Sequence, residues 1–261
     1  MENTRAVRER LFNDNLADRT AEAIRYYDES VFLQTCCYPK LFNVLGDNLS
    51  GKCICDFGCG VGYLSIPLLR RGANVFGFDV SPNTLVNARA MIQKHTSRNA
   101  QLDCYTAESL GYPEDFFDCV VGNAILHHLD LGAALRELRR VLKTGAWAHF
   151  FEPIGTNPVV EFARDYLPYP YKHRSADERP LTDADFALIR RTFSEVRIQY
   201  CELTLMLVRL NPWAAPWQKT PSVMLFERPI RNVLGRVDGA ILRAAPWLGR
   251  WCRMAFLSLR K

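Results

Sequence analysis

Cys53-Ile-Cys-Asp-Phe-Gly-Cys-Gly-Val-Gly62 is an apolar strand that runs straight into a glycine turn. Gly58, Gly60 and Gly62 lack a Cβ, so the backbone there can turn tightly and approach a ligand closely. Asp56 stands at the strand end, where a carboxylate can hydrogen-bond the turn or meet a positively charged ligand group. The spacing is G-x-G-x-G. A dinucleotide site needs G-x-G-x-x-G and a helix N-terminus aimed at the pyrophosphate, and an acid just before the turn would repel that group. The turn suits a ligand without phosphates and with a cationic centre. It counts against a nicotinamide-dependent oxidoreductase.

Working outward, strands and helices alternate. A helix is expected from Tyr63 to Arg71, a strand over 75–79, and a helix from Pro82 to His95 with proline at its first turn. Leu102–Tyr105 and 117–121 read as the third and fourth strands. A helix over 131–142 should stop at Lys143-Thr-Gly145, ahead of a fifth strand from Trp147 to Phe151. This alternation predicts a parallel sheet covered on both faces. Leu11, Leu16, Ile24 and Tyr27 have helical spacing, so residues 3–30 should form one or two helices.

Beyond residue 152, Glu152-Pro-Ile-Gly-Thr-Asn-Pro158 reads as a loop leaving the sheet. A helix-like run to Tyr166 follows, then the irregular Pro168–Arg174. Thr182 or Asp183 can cap a helix through Thr192, and Val196–Tyr200 is a sixth strand. Residues 222–248 have mixed helical spacing that should break at Pro229 and Pro246, and Met254–Arg260 is the last strand. One domain over 1–261 is expected: N-terminal helices over 1–50, a ligand-binding core over 51–152, and elaborated loops, helices and last strands over 153–261.

The chain of 261 residues is 48% hydrophobic and 23% charged, ordinary for a soluble globular protein with a sizeable core. It opens without a basic segment and apolar run, and no stretch matches a membrane span; a cytoplasmic protein is expected. Of nine cysteines, Cys53, Cys55, Cys104 and Cys119 fall in strands. Neither C-x-x-C nor a nearby histidine completes a ligand set, so reduced core thiols and no metal are expected. From Lys219 onward nine basic residues face two acids, a net +7, which leaves the preceding residues at −2 within the total of +5.

Asp56-Phe-Gly-Cys-Gly-Val-Gly62 resembles motif I of the class I S-adenosylmethionine-dependent methyltransferases. Val75-Phe-Gly-Phe-Asp79 resembles that family's second strand, and Phe116–Asn123 its fourth, followed by Leu126-His-His-Leu129. Arg139–Gly145 resembles the helix and turn before its fifth strand. The resemblance covers more than half the chain in the correct order. It implies an α/β, Rossmann-like, doubly wound sheet of seven strands, mostly parallel with an antiparallel last strand, plus N-terminal lid helices and a C-terminal helical insertion. It implies an enzyme that uses S-adenosylmethionine.

On this resemblance Asp56, Gly58, Cys59 and Gly60 would hold the methionine portion of the donor. Asp79, with Val80 beside it, would take the ribose hydroxyls; its alternative is a helix N-cap. Thr106 stands where many members have an aspartate for the adenine amino group. Thr106 can still accept, or the Ala107 backbone can bind the ring, with Glu108 beside it. Asn123 would line the donor pocket.

His127 and His128 follow the fourth strand, where an acceptor would approach. A histidine can remove a proton from a hydroxyl as it is methylated; packing or capping is the alternative for each. Glu152 and Asn157 resemble a Glu-Pro-x-Gly-x-Asn-Pro segment of some small-molecule methyltransferases, and could orient the acceptor or merely fix the loop. Tyr27 in the lid, and Tyr169, His173 and Arg174 in an aromatic-basic loop, are further acceptor candidates. His149, inside a strand, is expected to be structural.

A small organic acceptor methylated on oxygen is the first expectation. Carbon or nitrogen methylation of a small or lipid-linked acceptor, and a non-catalytic binding protein, are the alternatives. The intact Asp56, glycines and Asp79 argue against the last. The basic tail can be the solvated face of covering helices, a peripheral membrane contact through arginine and tryptophan, or a nucleic-acid surface. No nucleic-acid partner is expected, because no such module is visible.

Overall fold

The computed structural model describes residues 5–23, 38–166, 178–204 and 221–261. One seven-stranded sheet organises them: β1 (Cys53–Phe57), β2 (Asn74–Asp79), β3 (Gln101–Cys104), β4 (Phe117–Asn123), β5 (Leu142–Pro153), β6 (Glu195–Cys201) and β7 (Met254–Arg260). Their order is β3-β2-β1-β4-β5-β7-β6. β7 is antiparallel to both its neighbours, and the remaining pairings are parallel. This is the doubly wound Rossmann-like sheet expected, with its last strand reversed.

Strands buried on both faces should be near-continuously apolar, and β1 is. Ile54 points into the layer formed with α2 (Tyr38–Leu45), α3 (Ser65–Arg70) and α4 (Pro82–His95). Cys55 and Phe57 point into the opposite layer, against α5 (Leu131–Val141) and α7 (Asp183–Thr192). The helix starts follow capping chemistry. The Ser81 hydroxyl accepts from the Thr84 N–H at 3.0 Å, Asp130 accepts from the Ala133 N–H at 3.1 Å, and Thr182 with Asp185 closes a capping box. α1 (Arg5–Ala23) packs against α4. α6 (Pro158–Tyr166) and α8 (Pro221–Ala244) lie on the elaborated side.

Two local expectations change. β5 begins at Leu142, directly after α5, so Lys143-Thr-Gly145 does not precede the strand but bulges within it. The register with β4 jumps from Phe117↔Leu142 to Cys119↔Trp147. Gly145 takes φ +78° there, and Asp115 holds the Thr144 N–H at 2.8 Å. α8 runs through Pro229 without a break: a proline deletes one helical hydrogen bond, and the 24-residue helix continues past it. α2, beyond the 3–30 spacing but within the 1–50 region expected to hold N-terminal helices, buries Tyr38, Leu41 and Phe42 against the sheet.

Candidate active site

The ends of β1, β2 and β4 meet at the carboxyl edge of the sheet, where open α/β sheets bind ligands. Gly58 and Gly60 take φ +69° and +51°, the left-handed region that glycine enters without strain. The turn is pinned to β2 by the Cys59 N–H on the Phe78 carbonyl at 2.8 Å and by the Gly60 N–H on Asp79 Oδ2 at 3.1 Å. The two glycines differ in what surrounds them. A Cβ on Gly58 would lie 2.5 Å from Ile125 side-chain carbons, whereas one on Gly60 would meet nothing within 4 Å. Gly60 borders open space.

Two carboxylates stand beside the turn. Asp56 is buried and pushed up to about 7, first by loss of water, with the Asp79 charge adding to it and the Ser65 hydroxyl opposing it. That hydroxyl donates to Asp56 Oδ2 at 2.6 Å. Asp79 is pushed up to about 6, again first by burial, against the N–H groups of Ser81, Gly60 and Val80. Its Oδ1 accepts from the Ser81 N–H at 2.9 Å. Asp79 is therefore not the N-cap of α4; Ser81 is. Two carboxylates held against their charge beside an open glycine cradle fit a ligand that brings positive charge.

The remaining donor-side candidates cluster nearby. The Val80 carbonyl accepts from the Cys104 thiol at 3.6 Å. Thr106 sits in a turn after β3, its carbonyl accepting from the Ser109 N–H at 3.1 Å. Ala107 is buried in the core, and Glu108 accepts from the Asp130 N–H at 3.2 Å. Asn123 ends β4 beside a small cleft lined by Tyr38, Leu64, His149 and Phe151. His149 stays neutral, its pKa lowered to about 4 by burial. It bonds Ser258 Oγ at 2.9 Å and lies parallel to the Phe256 ring.

A second cluster stands beyond β4. Leu126–His128 forms a 3-10 turn whose entry is fixed by Glu152, wholly buried at the end of β5. Glu152 Oε1 accepts from the Ile125 and Leu126 N–H groups at 2.8 and 2.9 Å. Its Oε2 takes His127 Nδ1 at 2.8 Å, which orients the imidazole and leaves Nε2 for other chemistry. Glu178 Oε1 is 3.8 Å from that Nε2, too long for a hydrogen bond. His128 Nδ1 faces Glu9 on α1 at 3.3 Å. Burial opposes charge on His128, but Glu9, with Glu178 and Glu152 further off, outweighs it and raises its pKa. His127, His128 and Glu178 bring three ligand-capable atoms within 4.8 Å of one another, a set that could hold a divalent cation.

α1 lies over both clusters. Arg5 donates to the His127 carbonyl at 3.1 Å, and the Ser81 hydroxyl donates to Asp14 at 2.6 Å. Asn157 holds the start of α6, accepting from Val159 N–H at 3.0 Å and donating to the Trp251 carbonyl at 2.6 Å. Tyr27, Tyr169, His173 and Arg174 lie outside the described residues. Glu9, Ser65 and Glu178 were not anticipated; each gains meaning only from a partner far along the chain or across a turn.

The family model of the methyltransferase domain matches residues 55–150. The chain is 30% identical over 180 residues to a magnesium-protoporphyrin O-methyltransferase from Synechocystis, covering 61% of this chain and 74% of that one. It is 37% identical over 114 residues to a ubiquinone biosynthesis O-methyltransferase from Pseudomonas fluorescens, covering 42% of this chain and 48% of that one; the chain thus spans about half the length of that relative. The crystal structure of the Synechocystis magnesium protoporphyrin IX methyltransferase, with bound S-adenosylhomocysteine, shares the fold at TM-score 0.57 and 19% identity, over 76% of this chain and 94% of that one. The glycine cradle, its two carboxylates and the sheet order agree with these likenesses: the chain belongs to the class I S-adenosylmethionine-dependent methyltransferases, enzymes whose methyl donor is S-adenosylmethionine.

Proposed function

We propose that this methyltransferase methylates a hydroxyl oxygen of a small organic acceptor, with His127 as general base. The donor supplies an electrophilic methyl on a sulfonium, whose charge is lost on transfer. Gly58, Cys59, Gly60 and Asp56 hold its methionine end, Asp79 and Val80 the ribose, Thr106–Glu108 the adenine, and Asn123 borders the pocket. The donor contacts thus fall within residues 51–152, and the acceptor side joins His127 and Glu152 to residues 153–261.

The observation that carries this reading is the buried His127–Glu152 pair. A carboxylate with its other oxygen fixed by two backbone N–H groups locks the imidazole with Nδ1–H toward Glu152. Nε2 is then free to take the acceptor proton as the new O–CH3 bond forms, a role worth roughly 10²–10⁴ in rate. Glu152 is a positioning residue. His128, raised in pKa by its facing acids, is more readily found already protonated and so is less available to take a proton; through Glu9 it holds α1 over the site. The two relatives, both O-methyltransferases, point the same way.

A panel of phenols, aliphatic alcohols and amines, followed by S-adenosylhomocysteine formation and product identification, tests this. Methyl ethers that vanish in His127→Ala are expected; methylated amines or carbon products would overturn it. The His127–His128–Glu178 cluster favours a second reading, in which these residues would hold a divalent cation that would acidify the acceptor hydroxyl. Turnover that survives a chelator leaves the base reading; turnover lost and then restored by added metal replaces it.

A further inference from the structure

The helices on the acceptor side carry apolar surface that the fold leaves open. Along α6, Val159, Phe162 and Tyr166 recur at i, i+3 and i+7, and are 65%, 60% and 73% exposed. The Phe162 and Tyr166 rings lie together, centroids 4.9 Å apart. Ile230, Val233 and Val237 repeat that spacing on α8, all exposed. Residues so spaced share one helix face. Trp247 and Trp251, in the 3-10 turn after α8, are exposed as well.

These elements are joined and lie at one edge. Thr156 Oγ1 donates to the Arg250 carbonyl at 2.7 Å, and Asn157 Nδ2 to the Trp251 carbonyl, which ties the entry of α6 to the 3-10 turn. α6 follows Pro153 at the end of β5, and the turn feeds β7 at Met254, the residue paired with Pro153. That is the edge where Glu152 and His127 stand.

Among the described side chains of α8 and the 3-10 turn, the exposed charge is basic, and Glu161 on α6 is only partly exposed. Arg236, Arg243 and Arg250 are exposed. Arg236 and Arg243, seven residues apart, flank the Val233–Val237 stripe. Asp238, one of the tail's two acids, does not offset them at the surface. It is 4% exposed and accepts from the Leu203 and Thr204 N–H groups at 3.0 and 2.7 Å. Exposed aliphatic residues and tryptophans beside arginines are the makeup of a helix lying in a lipid interface. Anionic headgroups attract arginines so placed. A second copy of the chain seated here would instead set these arginines against one another. Among the described residues no helix is long and apolar enough to cross a membrane, so the contact is peripheral.

We propose that α6, α8 and the 3-10 turn dock on an anionic lipid bilayer, bringing the carboxyl edge of the sheet to the membrane and an acceptor with an apolar body to His127. Docking itself needs neither donor nor acceptor, so its test is independent of the hydroxyl-methylation reading. Full-length protein is sedimented with vesicles of phosphatidylcholine alone and of phosphatidylcholine mixed with phosphatidylglycerol. Binding to the anionic vesicles only, weakening with salt, is expected. Arg236→Glu and Arg243→Glu should each weaken it about fivefold or more, and Phe162→Ser with Trp247→Ser should also release the protein. Arg98→Glu, exposed at the opposite edge beside Gly72, should bind as the parent does. Protein that stays in the supernatant with anionic vesicles overturns the proposal, as does equal loss in Arg98→Glu. So does a dimer in solution that Trp247→Ser dissolves.

Discussion

The donor half and the acceptor half proposed for the carboxyl edge are built differently. The donor half is local: Asp56, the glycine turn, Asp79 and Ser81 are consecutive features of one β–turn–α–β–turn segment, and its geometry is set by backbone dihedrals and main-chain hydrogen bonds. The acceptor half is assembled from distant pieces. His127 follows β4, Glu152 ends β5, Glu178 precedes α7 and Glu9 lies on α1. A site fixed by backbone is specified by a short motif. A site fixed by side chains exists only once the chain has folded.

If the halves are separable, each should fail alone. The largest effect is expected from His127→Ala, which should lower turnover by about 10²–10⁴ while donor affinity, read by calorimetry, stays within about twofold of the parent. Glu152→Gln should lower turnover less and shift the pH profile, the sign of a positioning residue. Donor affinity lost in His127→Ala would break the comparison.

The glycines sharpen it from the other side. Gly58→Ala forces a Cβ to 2.5 Å from Ile125 carbons at φ +69° and should cost about 2–4 kcal/mol in denaturant unfolding. Gly60→Ala, with open space around it, should cost only about 1–2 kcal/mol yet impair donor binding. Equal stability losses would mean that the Gly60 cradle is not a ligand's space.

Acid should have the smallest effect, and its sign is fixed. Asp56 and Asp79 have folded pKa values raised to about 7 and about 6, so the free protein gains stability from them as pH falls and loses it as pH rises through 6–7. A cationic donor favours the ionised forms, so its binding should release protons. Its affinity should then fall from pH 8 to pH 5.5, by at most about tenfold per pH unit for each group. Calorimetry in buffers of different ionisation enthalpy reads this; proton uptake would contradict it.

Legibility follows the same division. Gly58, Gly60 and the helix start at Pro82 could be read from residues in sequence, because turn and first-turn chemistry is local, whereas Asp79 came through family resemblance. The reversed β7 came only through family resemblance. Among histidines the pair 127–128 was marked, but which of the two is oriented depends on Glu152 and Glu9, whose partnership no spacing encodes. Gly145 read as a helix stop and proved to be a bulge, because a left-handed glycine serves either and the pairing with β4 decides. Pro229 read as a break because propensity is local, whereas the helix around it continues.

The most direct test of the account is isothermal titration of S-adenosylmethionine and S-adenosylhomocysteine into the parent, Asp79→Ala and His127→Ala proteins, with NADH as the control ligand. Both sulfur compounds should bind the parent and His127→Ala alike, Asp79→Ala should bind them at least about tenfold more weakly, a loss of about 1.4 kcal/mol, and NADH should not bind. Unchanged affinity in Asp79→Ala, or equal loss in both variants, would contradict a donor site built on the glycine turn and separate from the acceptor machinery.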